Sequence, residues 1–144
     1  MLFSLMFEGN LAADPKLHFT QATGKAVAEL RVVHNRRRRT KDGEWVDGAP
    51  MFITVTAWEG LAERVAELRK GDTVIVEARD DLDIWAYTRQ ETQEPGGLLQ
   101  VTAANVALSM RFKGATVTRD DDTAKTGSGE AWDAEFAQEL EPAF

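Results

Sequence analysis

The sequence predicts a mainly β domain, five strands closed into a small barrel with one short helix, followed by a flexible acidic tail. Three observations carry that prediction. Apolar and polar residues alternate with period two in several short segments, as strands with one buried face require. A single segment, placed between the third and fourth of these, follows helical spacing instead. Beyond Lys113 the apolar density gives way to Asp, Thr, Gly and Ser.

Taken in order, Leu2 to Phe7 is a dense apolar run expected to form the first strand, ended by turn signals at Gly9-Asn10 and Asp14-Pro15. Ala26 to Val33 alternates, with Ala28, Leu30 and Val32 on one side and Val27, Glu29 and Arg31 on the other. Met51 to Trp58 alternates as cleanly: Met51, Ile53, Val55 and Ala57 share one face, and Phe52, Thr54, Thr56 and Trp58 the other. Leu61, Ala62, Val65, Ala66 and Leu68 then follow helical spacing, and Lys70-Gly71 supplies a basic last turn and a stop. Thr73 to Ala78 and Leu98 to Leu108 are two more strand-like runs, with an extra ribbon at Ile84 to Tyr87. Five strands with a helix between the third and fourth is the connectivity of the OB-fold, a small, partly open barrel. A sandwich wants about seven strands and no such helix. Asn35 to Pro50 and Thr88 to Gly97 are long polar excursions between strands, of a kind that in compact domains is often functional. The expected division is a domain over 1–112 and a linker with an acidic tail over 113–144, the linker itself covering 113–130.

Composition excludes several classes of chemistry. The 144 residues include no cysteine, which removes disulfide frameworks, thiolate metal clusters and cysteine nucleophiles, and two histidines, His18 and His34, leave little for a metal site. No apolar run approaches the roughly 20 residues that span a bilayer, and the start of the chain has no basic region with a cleavage site. The expectation is a soluble cytoplasmic protein, without a membrane partner. No catalytic constellation or phosphate-loop spacing is present, so no enzyme and no cofactor are expected. The net charge of −7 argues at first sight against a polyanionic partner. Its distribution reverses that: residues 1–112 carry 14 basic and 16 acidic side chains, whereas the last 32 residues carry 3 and 8. Between residues 25 and 41 there are seven basic side chains against one acidic, Glu29.

The densest part of that stretch is Arg36-Arg37-Arg38-Arg39, with Lys41 close behind. Guanidinium groups at this density repel one another until an anion arrives, which suits a phosphate backbone, although alone the run also suits a solvated hairpin tip. Aromatics weigh toward the first reading. Phe52 and Trp58 project from the Thr54/Thr56 face, Trp45 lies in the hairpin after the arginines, and Trp85 and Tyr87 share one face of the extra ribbon. A polar face carrying aromatics is a poor core and a good platform for unstacked bases, each stacked base contributing roughly 1–3 kcal/mol irrespective of sequence.

The chain resembles the bacterial and phage single-stranded DNA-binding proteins. The resemblance rests on Gly9-Asn10-Leu11 with Asp14-Pro15, on Gly24 to Val33, on Trp58 to Gly71 (WEGLAERVAELRKG) and on Val74 to Glu77, in the right order and spacing over about 1–110. It implies an OB-fold that assembles as a homo-oligomer, most often a tetramer, at the nucleoid, and binds single strands in replication, recombination and repair. The family's stacking aromatics map onto Phe52, Trp58 and Trp85, and one family tryptophan falls near Arg38, where arginine can stack on bases and pair with phosphate. Where the family usually carries basic residues before the last aromatic, this chain has Asp80-Asp81-Leu82-Asp83. Met1 to Phe7, very apolar for an edge strand, is the expected inter-subunit pairing segment.

The family's acidic tip, which closes with Pro-Phe and docks onto partner proteins, has a partial counterpart in Glu139-Leu140-Glu141-Pro142-Ala143-Phe144. Trp132, Phe136 and Leu140 are spaced by four, as on one helix face. These residues are the expected partner-binding element for replication and repair proteins. Two other readings stay open on sequence alone: an OB-type protein-interaction module whose basic hairpin binds an acidic protein, and an RNA-binding OB domain.

Overall fold

A computed structural model of the chain describes residues 1–117. In chain order its elements are β1 (Leu5–Leu11), β2 (Lys16–Phe19), β3 (Ala26–His34), β4 (Arg37–Arg39), β5 (Trp45–Asp47), β6 (Met51–Trp58), α1 (Glu59–Val65), β7 (Thr73–Ala78), β8 (Asp83–Thr88) and β9 (Pro95–Leu108). Five of these strands close a barrel in the order β1-β7-β9-β6-β3, with β1 returning to β3 through Asn10 opposite Val33 and Leu11 opposite Val32. The β6–β9 pairing is parallel and the others are antiparallel. This is the expected OB-fold, with β2 added beside β3, β8 beside β9, and β4–β5 forming a separate two-stranded ribbon.

Period-two patterning determines what fills the barrel. Ala28, Leu30 and Val32 from β3, Val55 and Ala57 from β6, and Val74 and Val76 from β7 are fully buried. Val101 of β9 completes the layer, and α1 closes one end with Ala62 and Val65. Burying a Val or Leu side chain stabilises the fold by roughly 1.5–3 kcal/mol relative to leaving it in water, so this inner layer supplies most of the driving force. The β-branched residues that dominate it also fit the pleated backbone.

The structure departs from the sequence expectation in four places. The first strand begins at Leu5 rather than Leu2 and runs through Gly9-Asn10 rather than turning there. Gly9 serves a close approach instead: a Cβ on it would lie 2.6 Å from both Val32 Cγ1 and the Val33 carbonyl oxygen. A strand at Lys16–Phe19 was not expected; it continues the course of β1 along β3 after the Asp14-Pro15 bend. The helix ends at Val65, and its last expected turn is taken up by looser turns into Gly71, whose φ of 89° only glycine adopts easily. Finally, the second excursion is shorter than expected, because β9 begins at Pro95, and the reversal is confined to residues 89–94.

Candidate nucleic-acid interface

The outward side chains of the barrel make one continuous sheet face across β3, β6, β9 and β8, and the strand register fixes which residues meet on it. Val33 stands opposite Phe52, Arg31 opposite Thr54, Glu29 opposite Thr56 and Val27 opposite Trp58. Thr54 pairs in turn with Gln100, and Thr56 with Thr102. On the far side Gln100 faces Asp83, Leu98 faces Trp85 and Gly96 faces Tyr87. Because side chains alternate across a strand, Phe52, Trp58, Trp85 and Tyr87 therefore share this face, in company with threonine and glutamine hydroxyls and amides.

Exposure matches the register. Phe52 is 41% exposed and Trp58 42%, although both sit on the central strand of the sheet, while Trp85 on the added ribbon is 57% exposed. Arg31 reaches diagonally from β3 so that its Cζ lies 5.1 Å from the centroid of the Phe52 ring, a cation–π contact that holds the guanidinium over the face. Tyr87 lies across Gly96, where a side chain would collide with its ring. The ring is therefore laid along the ribbon rather than standing free.

The arginine run takes a different form from a single basic stripe. In the β4–β5 ribbon Arg37 faces Asp47, Arg38 faces Val46 and Arg39 faces Trp45. Alternation puts Arg37, Arg39, Asp47 and Trp45 on one side and Arg38 on the other. Arg37 Nε pairs with Asp47 Oδ1 at 3.4 Å, and Arg39 Nε donates to the Gly43 carbonyl at 3.3 Å, where Gly43 takes a φ of 85°. Lys41 is exposed at the ribbon tip. Arg36, Arg37 and Arg38 line an open cleft of about 460 Å³ with Asp47, Gly48 and Ala49. The ribbon continues directly from the Phe52 end of the β3–β6 pair, which brings the arginine run next to that end of the barrel.

The acidic stretch before Trp85 has local work. The Thr102 backbone N–H donates to Asp81 Oδ1 at 3.3 Å, and the Ile84 N–H donates to Asp83 Oδ1 at 2.9 Å. Asp80 lines a groove with Met1, Leu2, Phe3, Ala78 and Arg79 at the other end of the barrel. Asp83 alone of the three falls by register on the aromatic face.

The sequence reading did not single out Arg31 and Gln100. Alternation places Arg31 outward, but its meeting with Phe52 depends on the β3–β6 register, which no local pattern specifies. Among the described residues there is no group of three or more His, Asp or Glu able to hold a metal ion, and no helix long and apolar enough to cross a membrane. The expected partner-binding residues Trp132, Phe136, Glu139, Leu140, Glu141, Pro142 and Phe144 lie outside the described residues.

Fold and face together define an OB barrel that displays aromatics on its sheet instead of burying them. Comparison with known proteins gives the family. The model of the single-strand binding protein family matches residues 2–109, and the chain belongs to that family. It is 40% identical over 113 residues to a single-stranded DNA-binding protein of Corynebacterium glutamicum, covering 77% of this chain and 48% of that protein. It is 37% identical over 125 residues to one of Mycobacterium tuberculosis, covering 84% of this chain and 73% of the relative. The match thus spans about half the length of the first relative and nearly three quarters of the second. The crystal structure of a small single-stranded DNA-binding protein from Streptomyces coelicolor superposes with a TM-score of 0.58 at 22% identity, covering 76% of this chain and 97% of that one, and shares its fold.

Proposed function

We propose that this chain binds single-stranded DNA in a largely sequence-tolerant manner, without catalysing a reaction and without a cofactor. Bases stack on Phe52, Trp58, Trp85 and Tyr87, while Arg36, Arg37, Arg38, Arg39 and Lys41 follow the phosphates and Trp45 adds a ring at the ribbon. The observation that carries this reading is the exposure of four aromatic rings on one continuous sheet face, beside an arginine ribbon. Family membership and the names borne by the relatives support it. Stacking accepts any base, and the exposed cations add a salt-dependent backbone attraction.

The wider role proposed is protection of single strands in replication, recombination and repair, at the nucleoid in the cytoplasm. The domain is assigned to 1–112 and partner recruitment to the acidic segment within 113–144. Assembly as a homo-oligomer, with the tetramer as the leading form, is supported by the edge of β1. Its residues Leu5 to Gly9 pair with β7 on one side, while the pairing with β3 involves only Asn10 and Leu11. The Glu8 carbonyl accepts from His34 Nδ1 at 2.7 Å, and Leu5 to Phe7 have no second strand partner among the described residues; with Met6 exposed there, this apolar edge is a ready template for a second copy.

Fluorescence anisotropy with a labelled oligonucleotide, single-stranded or annealed to its complement, tests the reading. Saturable binding of the single strand that weakens with salt, with much weaker binding of the duplex, is expected. Equal affinity for both forms would contradict base stacking as the basis of recognition.

A further inference from the structure

The aromatic face carries a polar row whose chemistry is not neutral among bases. By register Arg31, Thr54, Gln100 and Asp83 stand side by side across four adjacent strands. On one side of this row lie Phe52 and Trp85, each two residues along its strand from a row member, and on the other side lies Thr56, followed by Trp58. A base that stacked on either flank would lie with its edge beside the row.

The two ends of the row are charged and open. Arg31 is exposed, is held by its contact with Phe52, and makes no ion pair among the described residues. Asp83 is exposed; its Oδ1 accepts the Ile84 N–H, and Oδ2 has no partner among the described residues. Three strand spacings of about 4.8 Å separate the two backbones by about 14 Å, so each end meets its own base.

Resting on single-strand binding at this face, we propose that Arg31 and Asp83 give the chain a preference for guanine over thymine. A guanidinium donates in parallel to guanine O6 and N7, the best-matched pairing an arginine makes with a base edge. A carboxylate accepts from neighbouring N–H groups, and guanine offers two side by side, N1–H and the N2 amino group. Thymine offers Asp83 a single N3–H flanked by two carbonyl oxygens that repel a carboxylate, and it gives Arg31 no paired acceptors. The same assignment accounts for an acidic residue on a face that attracts a polyanion: Asp83 meets base edges, and the arginine ribbon meets phosphates.

The test uses the full chain and two length-matched labelled oligonucleotides, oligo(dT) and a dT-dT-dG repeat, in lithium salt so that guanines do not form quadruplexes. The readout is the ratio of the two dissociation constants. Charge attraction to the backbone is common to both strands and cancels in that ratio, and the two variants separate the reading of base edges from the stronger stacking of a purine. The wild-type chain is expected to favour the guanine strand by about fivefold or more. Arg31→Lys keeps the charge and loses the paired donors, and Asp83→Asn removes repulsion while losing the paired acceptors, so each brings the ratio toward one. Both side chains are exposed, and the thermal melts should match the wild type. A wild-type ratio at or below one, or a ratio unchanged in both variants, overturns the proposal while leaving single-strand binding intact. Failure of both strands to bind at low salt overturns single-strand binding as well.

Discussion

The ring of Tyr87 covers Gly96: a Cβ on that glycine would stand 2.5 Å from Tyr87 Cζ and 2.8 Å from its hydroxyl oxygen. The pair sits in the β8–β9 ribbon, directly opposite in register, and it fixes the position of an aromatic on the face proposed to bind bases. Gly96→Ala must push the ring aside. Because the ring is the far end of a half-exposed side chain, stability should change by no more than about 0.5 kcal/mol. Loss of the ring from its place should weaken oligo(dT) binding by roughly 1 kcal/mol or more. Urea unfolding and an oligonucleotide titration of the same variant check both halves.

Gly9 presents the opposite case. Its missing Cβ makes room for backbone and a branched side chain where β1 meets β3, and neither yields easily. Gly9→Ala is expected to destabilise the barrel by about 1–3 kcal/mol, in the manner of an overpacked core. The shift appears as a lower urea midpoint with an unchanged slope.

Trp58 stands on the central strand opposite Val27, which is buried although it points outward. Trp58→Ala is expected to weaken single-strand binding by roughly 1–3 kcal/mol. An unchanged affinity in a folded variant would assign Trp58 to shielding Val27 instead.

The Arg37–Asp47 pair is well exposed, so it adds about 0–1 kcal/mol to stability at most. Its larger effect is to occupy a guanidinium that phosphate would otherwise meet. Asp47→Asn should therefore tighten binding at low salt and steepen the salt dependence by up to about 0.7 in log–log slope, one further phosphate contact for a single strand. Affinities measured across a salt series check this.

The barrel was legible in the sequence because its signals are local. Alternation in Ala26–Val33 and Met51–Trp58 placed Leu30, Val32 and Val55 inside and Phe52 and Trp58 outside, as the structure has them. What escaped depends on pairs of strands. Gly9 looked like a turn because its role is set by Val32 and Val33, more than 20 residues away. Lys16–Phe19 is too short to stand out and gains its place from β3. The arginine run read as one stripe, yet pairing with β5 divides it between two sides and ties Arg37 to Asp47. Asp83 looked out of place until the β8–β9 register set it beside Gln100.

Tryptophan fluorescence during titration with oligo(dT) tests the central claim, that the β3–β6–β9–β8 face is the single-strand platform. Deep quenching is expected, saturating at a fixed ratio of nucleotides to protein and reversing with salt. In a Trp58→Phe/Trp85→Phe variant the loss of intensity on binding should be much smaller, with Trp45 as the remaining reporter at the ribbon. Absence of quenching at low salt, or quenching undiminished in the double variant, would mean that the strand does not lie on this face.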